Sequence, residues 1–181
     1  MALVMIVSML PFSVFAEEGD TWAESASTEW YTGDGDEYTI SSAADLAGLA
    51  QLVNGGTSFQ KKTIKLGENI DLEGKEWTPI GRNGKPFQGT FNGQGKTISN
   101  LKITGNSSDV GLFGFTTDGE IKDFTLNNAQ VEGYLDVGAV AGTPYTSKYT
   151  NIKVTGLVQV DGYAYVGGAF GKNAYANITN V

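Results

Sequence analysis

The chain has 181 residues, of which 25 are glycine, and carries a formal net charge of −8 with neither histidine nor cysteine. The missing imidazoles and thiols exclude histidine-based catalytic triads, disulfides and the usual zinc, copper and haem sites, so we predict no metal site and no cofactor. The acidic charge would repel phosphate backbones, and we therefore predict no nucleic-acid partner.

The first 16 residues have the pattern of a secretory signal peptide. Residues 2–15 form an apolar run that is too short to span a bilayer, and Val14-Phe15-Ala16 ends it with a signal-peptidase site. Cleavage after Ala16 predicts a secreted or cell-surface protein with no membrane-spanning segment in its mature chain. A buried strand or a single membrane anchor is the alternative interpretation of this run.

Residues 17–37 are acidic and are predicted to form a flexible linker. Within this segment, acidic residues alternate with glycine at positions 32–37, as they do in some calcium-binding loops. The acidic residues do not have the spacing of an EF-hand. A helix is predicted next, because Ser42 to Asp45 form a capping box, apolar residues share one face and Asn54-Gly55-Gly56 supplies a stop. We expect this helix to cover the first coil of the following domain.

Residues 38–181 contain repeats with the length of one solenoid coil. One pattern recurs at spacings of 23, 28 and 29 residues, beginning at Ile98, Ile121, Tyr149 and Ile178. A second pattern runs out of phase with it, as Asp109-Val110-Gly111, Asp136-Val137-Gly138 and Tyr165-Val166-Gly167. Several short strands per repeat, separated by Gly, Asn and Asp, predict an all-β fold of the parallel β-helix (β-solenoid) type whose last coil is incomplete.

Polar residues recur at one position of the first pattern. They are Asn100, Asp123, Asn151 and Asn180. In stacked coils such residues can hydrogen-bond to one another and support a bend of the backbone. We predict that these four form a structural ladder.

The candidate ligand-binding residues are two tyrosines. Tyr134 and Tyr163 each follow a glycine and lie one 29-residue coil apart. Exposed rings can stack on the faces of sugars, but a row of tyrosines can equally stiffen one corner of a solenoid. Trp77, by contrast, is expected to be packed beneath the first loop.

No catalytic residues are predicted. The carboxylate pairs Asp71 with Glu73, and Glu132 with Asp136, could in principle serve glycoside hydrolysis. Neither pair recurs with a catalytic partner in the sequence, and roles in turns or on solvated faces are favoured. We therefore expect that the protein is not an enzyme.

Motifs from Tyr38 onward resemble the N-terminal part of bacterial GLUG-motif repeat surface proteins. The resemblance is carried by Glu76-Trp77-Thr78-Pro79-Ile80-Gly81, by Phe87 to Ile98, and by the Val-Gly-x-x-x-Gly repeats. It implies a right-handed parallel β-helix of the pectin-lyase-like type in a large exported protein. One departure lies at Asn92 to Lys96, where many relatives carry Asp first and His last, and the resemblance transfers no catalytic residue.

These observations together predict an exported cell-surface β-solenoid that acts as a noncatalytic adhesion or stalk module. Its partner would be a surface glycan or a host protein, and its uncapped C-terminal coil is expected to self-associate. The alternative is the N-terminal portion of a carbohydrate-active β-helix enzyme whose catalytic coils lie beyond residue 181.

Overall fold

The computed structural model describes residues 20–181, so the predicted signal peptide at residues 1–16 lies outside the described residues. Strands alternate with tight bends along almost the whole described chain. The elements are β1 Glu37–Ile40, α1 Ala43–Gly55, β2 Thr63–Leu66, β3 Ile70–Asp71, β4 Thr90–Ile103, β5 Phe113–Thr117, β6 Glu120–Glu132, β7 Leu135–Gly138, β8 Ala141–Tyr145, β9 Lys148–Asp161, β10 Ala164–Gly167 and β11 Asn177–Thr179.

The strands stack in parallel, each on the equivalent strand of the preceding coil. The main sheet has the order β1-β2-β4-β6-β9-β11, with β3 also paired to β4. Two smaller parallel pairs, β5 with β8 and β7 with β10, form the other faces. One register row of the main sheet runs through Ile64, Phe91, Ile121, Tyr149 and Ile178. This topology confirms the predicted parallel β-helix.

The long strands β4, β6 and β9 each bend twice, at residues with positive φ. In β6 the bends are at Asp123 (φ 59°) and Asn128 (φ 57°), and in β9 they are at Asn151 (φ 53°) and Gly156 (φ 76°). Asn and Asp tolerate the left-handed region better than other residues that carry a Cβ. The recurring Asn and Asp of the sequence therefore mark the corners of the coil.

The first copy of the predicted repeat is out of register with the other three. Ile98 pairs with Leu126, whereas the partner of Ile121 in β4 is Phe91. The first copy lies at the second bend of the coil, where Ile98 pairs with Leu126 and Ile103 with Val131. A separate bulge between Asn92 and Lys96, with three intervening residues in β4 and one in β6, shifts the register by only two residues. The spacing of 23 residues between the first two copies therefore joins two different bends and does not measure the length of a coil.

The interior is filled by apolar side chains that stack from coil to coil. A row of phenylalanines runs through it with ring centroids 5.3 to 6.2 Å apart: Phe59, Phe87, Phe113, Phe91 and Phe124. All five are at most 2% exposed. Because a single coil cannot cover such rings, their burial requires the neighbouring coils.

Helix α1 has the predicted caps. The Ser42 side chain accepts a hydrogen bond from the Asp45 N–H (3.1 Å), and Gly56 ends the helix in the left-handed conformation. The buried side of α1, which includes Leu46, Leu49 and Val53, belongs to the same core as the first strands. The helix thus covers apolar residues of the first coil.

Residues 20–36, predicted to be a flexible linker, pack against the domain instead. Trp22 is 8% exposed, and its indole N–H donates to the carbonyl of Leu72 (2.8 Å). The Ser27 N–H donates to the carbonyl of Ala44 in α1, and Trp30 packs against Tyr38 and Phe59. Aromatic burial outweighs the acidic composition here, so the linker prediction is wrong for these residues.

Burial decreases towards the last coils. Strand β9 pairs with β11 only over Lys148–Thr150. Val158 and Val160 are half-buried, and Leu157 is 79% exposed. The self-association predicted for this side of the domain stays a prediction.

Candidate functional site

The two candidate tyrosines form an exposed stacked pair. The rings of Tyr134 and Tyr163 lie 5.2 Å apart between centroids and 14° from parallel. They are 46% and 76% exposed, respectively. Each is the second residue of a two-residue connection between a long strand and a short one, β6 to β7 and β9 to β10. The Tyr163 N–H donates to the Tyr134 carbonyl (2.9 Å). The coil spacing therefore places the two rings on one another.

A third exposed tyrosine follows the pair closely in the chain. Tyr165 lies two residues after Tyr163 and is 60% exposed, and the Lys172 ammonium lies 5.4 Å from its ring centroid. We call Tyr134, Tyr163 and Tyr165 the tyrosine surface. Tyr145 belongs to a different row, stacked on Phe115 and edge-on to Tyr175.

The tyrosine surface combines ring faces with carboxylate acceptors. Glu132 and Asp161 are paired in register, are exposed, and come two residues before Tyr134 and Tyr163. The Gln159 amide donates to Asp161 at 2.8 Å. The two stacked rings cover part of each other. A ligand could therefore contact the ring edges, the outer face of the pair and these polar groups.

The predicted ladder residues fall into two rows, not one. The Asn151 amide donates to Asp123 (3.0 Å), and the Asn180 amide donates to Asn151 (2.8 Å). Asn100 lies in a separate row, in which it donates to Asp71 (2.8 Å) and accepts from Asn128 (3.3 Å). Asn100 lies in the other row because it occupies the second bend of the coil, where its neighbour in β6 is Asn128 and not Asp123.

The carboxylates considered for catalysis have other contacts. Asp71 accepts from the Glu73 N–H (2.8 Å) and from Asn100, and these hydrogen bonds lower the pKa of its carboxyl group. Glu73 forms an ion pair with Lys75 at 3.0 Å. Both residues therefore take part in a turn and a surface ion pair.

A pair of carboxylates that sequence reasoning missed lies at Asp109 and Asp136. Both begin copies of the Asp-Val-Gly pattern, and the Val110 N–H donates to the Asp136 carbonyl, which places them on adjacent coils. Burial, and then the charge of Asp109, raise the pKa of Asp136, while Lys172 acts in the opposite direction. The repetition of Asp in this pattern was the signal that could have revealed the pair.

A polar groove of about 570 Å³ lies along the bends of the main sheet. The bulge of β4 supplies Asn92 and Gln94, and the following coils supply Asp123, Asn151 and Lys153. In residues 20–181 no cluster of three or more His, Cys, Asp or Glu has the arrangement of a metal site. No helix of the same region is long and apolar enough to cross a membrane.

Comparison with known proteins identifies two relatives. Over 152 residues, 75% of the chain, it is 34% identical to a protein named halomucin from Haloquadratum walsbyi. Over 114 residues, 60% of the chain, it is 33% identical to a putative Gly-rich membrane protein from Evansella cellulosilytica. The chain covers only 2% and 13% of the lengths of these proteins. No family model matches the chain, and no solved structure matches it.

Proposed function

We propose that the protein is a noncatalytic cell-surface module that presents a β-solenoid and recognises glycans through the tyrosine surface. The observation that carries the proposal is the stacked Tyr134 and Tyr163 pair, which leaves large aromatic side chains exposed, with the exposed Glu132 and Asp161 two residues earlier in the chain. Aromatic rings bind the apolar faces of sugars, and carboxylates accept hydrogen bonds from sugar hydroxyl groups.

The fold supports the role of a presenting module. Stacked coils give a stiff rod whose side chains recur along one face, so a surface built from equivalent positions can be extended by adding coils. The names of the two relatives, a halomucin and a putative Gly-rich membrane protein, support a location at the cell surface. The signal peptide predicted at residues 1–16 is part of the same proposal.

A glycan-array screen of the purified chain, with and without calcium, tests the proposal. Specific binding should fall at least tenfold in Tyr163→Ala and in Tyr134→Ala, because each substitution removes half of the stacked pair. Tyr175→Ala is the matched control, since Tyr175 is 85% exposed but lies in the other aromatic row.

Two results would contradict glycan recognition at this surface. Binding that survives in both folded variants would place the glycan elsewhere. An absence of binding to any glycan would leave a passive stalk, in which the tyrosine pair only stiffens the corner. Circular dichroism of each variant establishes that its fold is retained.

A further inference from the structure

One outward face of the solenoid continues from the tyrosine pair back along β6 and β9. Six exposed side chains occupy alternate positions on it: Gln130, Glu132 and Tyr134 of one coil, and Gln159, Asp161 and Tyr163 of the next. Strand pairing sets Gln130 beside Gln159 and Glu132 beside Asp161. Since alternate residues of a strand point to the same side of a sheet, the polar side chains share one face.

The glycine before each tyrosine keeps this alternation. A Cβ on Gly133 would lie 2.9 Å from side-chain atoms of Val110 and Val137, and a Cβ on Gly162 would lie 2.8 Å from Val137. Both valines are completely buried, so both glycines face the interior. The tyrosine pair and the two carboxylates therefore face outward together.

A groove of about 460 Å³ begins at the two glutamines and runs to the second bend of the coil. We call its residues Asn128, Gln130, Leu157 and Gln159 the amide groove. Leu157 lies there because β9 has two residues, Gly156 and Leu157, opposite the single Asn128 of β6. Its N–H donates to the Asn128 side chain (2.9 Å), and its own side chain is 79% exposed.

The face thus has large apolar side chains at both ends and polar groups between them. From Leu157 to Tyr163 the chain advances six residues, or about 20 Å, which is the length of about four sugar units. A chain of sugars offers apolar ring faces to the two ends and hydroxyl groups to the amides and carboxylates between them. A single sugar could contact only one end.

The charge of the face disfavours an acidic sugar. Glu132 and Asp161 lie at its centre, where they would repel a uronic acid or a sulfated sugar. The lining of the groove includes one lysine, Lys102, which belongs to the preceding coil. The two central carboxylates therefore decide the sign of the charge that a ligand meets.

We propose that this face binds about four consecutive units of an uncharged, β-1,4-linked polysaccharide that lies along β6 and β9. One unit stacks on the tyrosine pair, the middle units hydrogen-bond to the carboxylates and glutamines, and the last unit lies against Leu157. The β-1,4 linkage keeps the chain extended, as a straight row of side chains requires. The inference rests on the glycan recognition proposed above, to which it adds the amide groove and the class of ligand.

Two length series are the probes, cello-oligosaccharides and chito-oligosaccharides of one to six units, because both are uncharged and β-1,4-linked. In isothermal titration calorimetry, the affinity of the purified chain should rise at least about tenfold from two units to four and then stay constant. The β-1,4-linked tetramer of glucuronic acid differs from cellotetraose by its carboxylates. It should bind at least about tenfold more weakly than cellotetraose.

Leu157→Ala separates the amide groove from the tyrosine pair. It should remove the gain in affinity from two units to four and leave binding of the two-unit chain unchanged, whereas Tyr163→Ala should weaken binding at every length. Lys153→Ala is the matched control, because Lys153 is exposed in the same strand but lines the separate polar groove of Asp123 and Asn151. Circular dichroism establishes that each variant is folded.

The outcomes distinguish this inference from the proposed function. Affinity that is independent of chain length, or a Leu157→Ala protein that binds four units like the wild type, would overturn the inference and leave recognition by the tyrosine pair standing. Equal affinity for the glucuronic acid tetramer would likewise overturn it. If neither series binds, the inference is wrong, and the glycan array decides separately whether the proposed function is wrong as well.

Discussion

Removing one hydroxyl group from the interior of the solenoid tests how its coils are held together. Tyr149 is completely buried, and its hydroxyl lies 2.8 Å from Oγ1 of Thr116, which is also completely buried. The bond joins β9 to β5 across the interior. Burial raises the pKa of Tyr149 above its ordinary value, so the phenol stays neutral and can serve as donor or acceptor.

The expected magnitude follows from what each substitution leaves behind. Tyr149→Phe leaves the Thr116 hydroxyl buried without its partner, which costs about 1–3 kcal/mol of the free energy of unfolding. Thr116→Val leaves the Tyr149 hydroxyl in the same state and should cost a similar amount. The double variant replaces both groups by apolar ones, so its cost should be smaller than the sum of the two single costs by about 1–2 kcal/mol.

Urea unfolding of the four proteins, followed by circular dichroism, measures this coupling. Tyr175→Phe is the matched control, because Tyr175 is 85% exposed and loss of its hydroxyl should change the stability by less than about 0.5 kcal/mol. Additive costs in the double variant, or a Tyr149→Phe protein as stable as the wild type, would refute the hydrogen-bond argument.

Three further predictions concern the coil corners and the stacked backbone. Asp136→Asn should raise the thermal midpoint by an amount that grows as the pH rises above about 3.8, because the raised pKa of Asp136 makes its ionised form unfavourable in the fold. A difference in thermal midpoint between variant and wild type that is the same at pH 3 and pH 7 would count against this. Asn151→Gly should lose about 1 kcal/mol with the ladder bonds, and Asn151→Ala should lose more, since alanine is also strained at φ 53°. Gly142→Ala should prevent folding or cost more than about 4 kcal/mol, because its Cβ would lie 2.3 Å from the Val110 nitrogen, whereas Gly168→Ala should be neutral in the same denaturation assay.

The sequence predicts those parts of the fold whose signals are local. The helix carries its own start and stop, and Asn or Asp at a recurring position indicates a left-handed corner before any contact is known. The stacked tyrosines follow from the coil length alone, because residues one coil apart must lie on adjacent rungs. Each of these inferences needs only spacing along the chain.

Features that depend on contacts between distant segments could not be predicted from the sequence. Both bends of a coil carry an apolar residue two places before Asn or Asp, so the sequence does not show that the first copy, with Asn100, lies at the second bend, and its register was misjudged. The acidic segment at residues 20–36 looks solvated until the burial of Trp22 and Trp30 is seen.

The hydrogen bonds of the two amide ladders run in the same direction along the solenoid. This direction explains why each ladder begins with an aspartate. In both rows every asparagine amide donates towards the preceding coil, and the first member is an aspartate, Asp71 or Asp123. An asparagine in that place would need a further acceptor for its own N–H, whereas a carboxylate only accepts. Aspartate also strengthens the hydrogen bond that it receives, because its charge assists the bond. In a solenoid of this kind, an aspartate followed by asparagines one coil apart therefore marks both the start of a ladder and its direction.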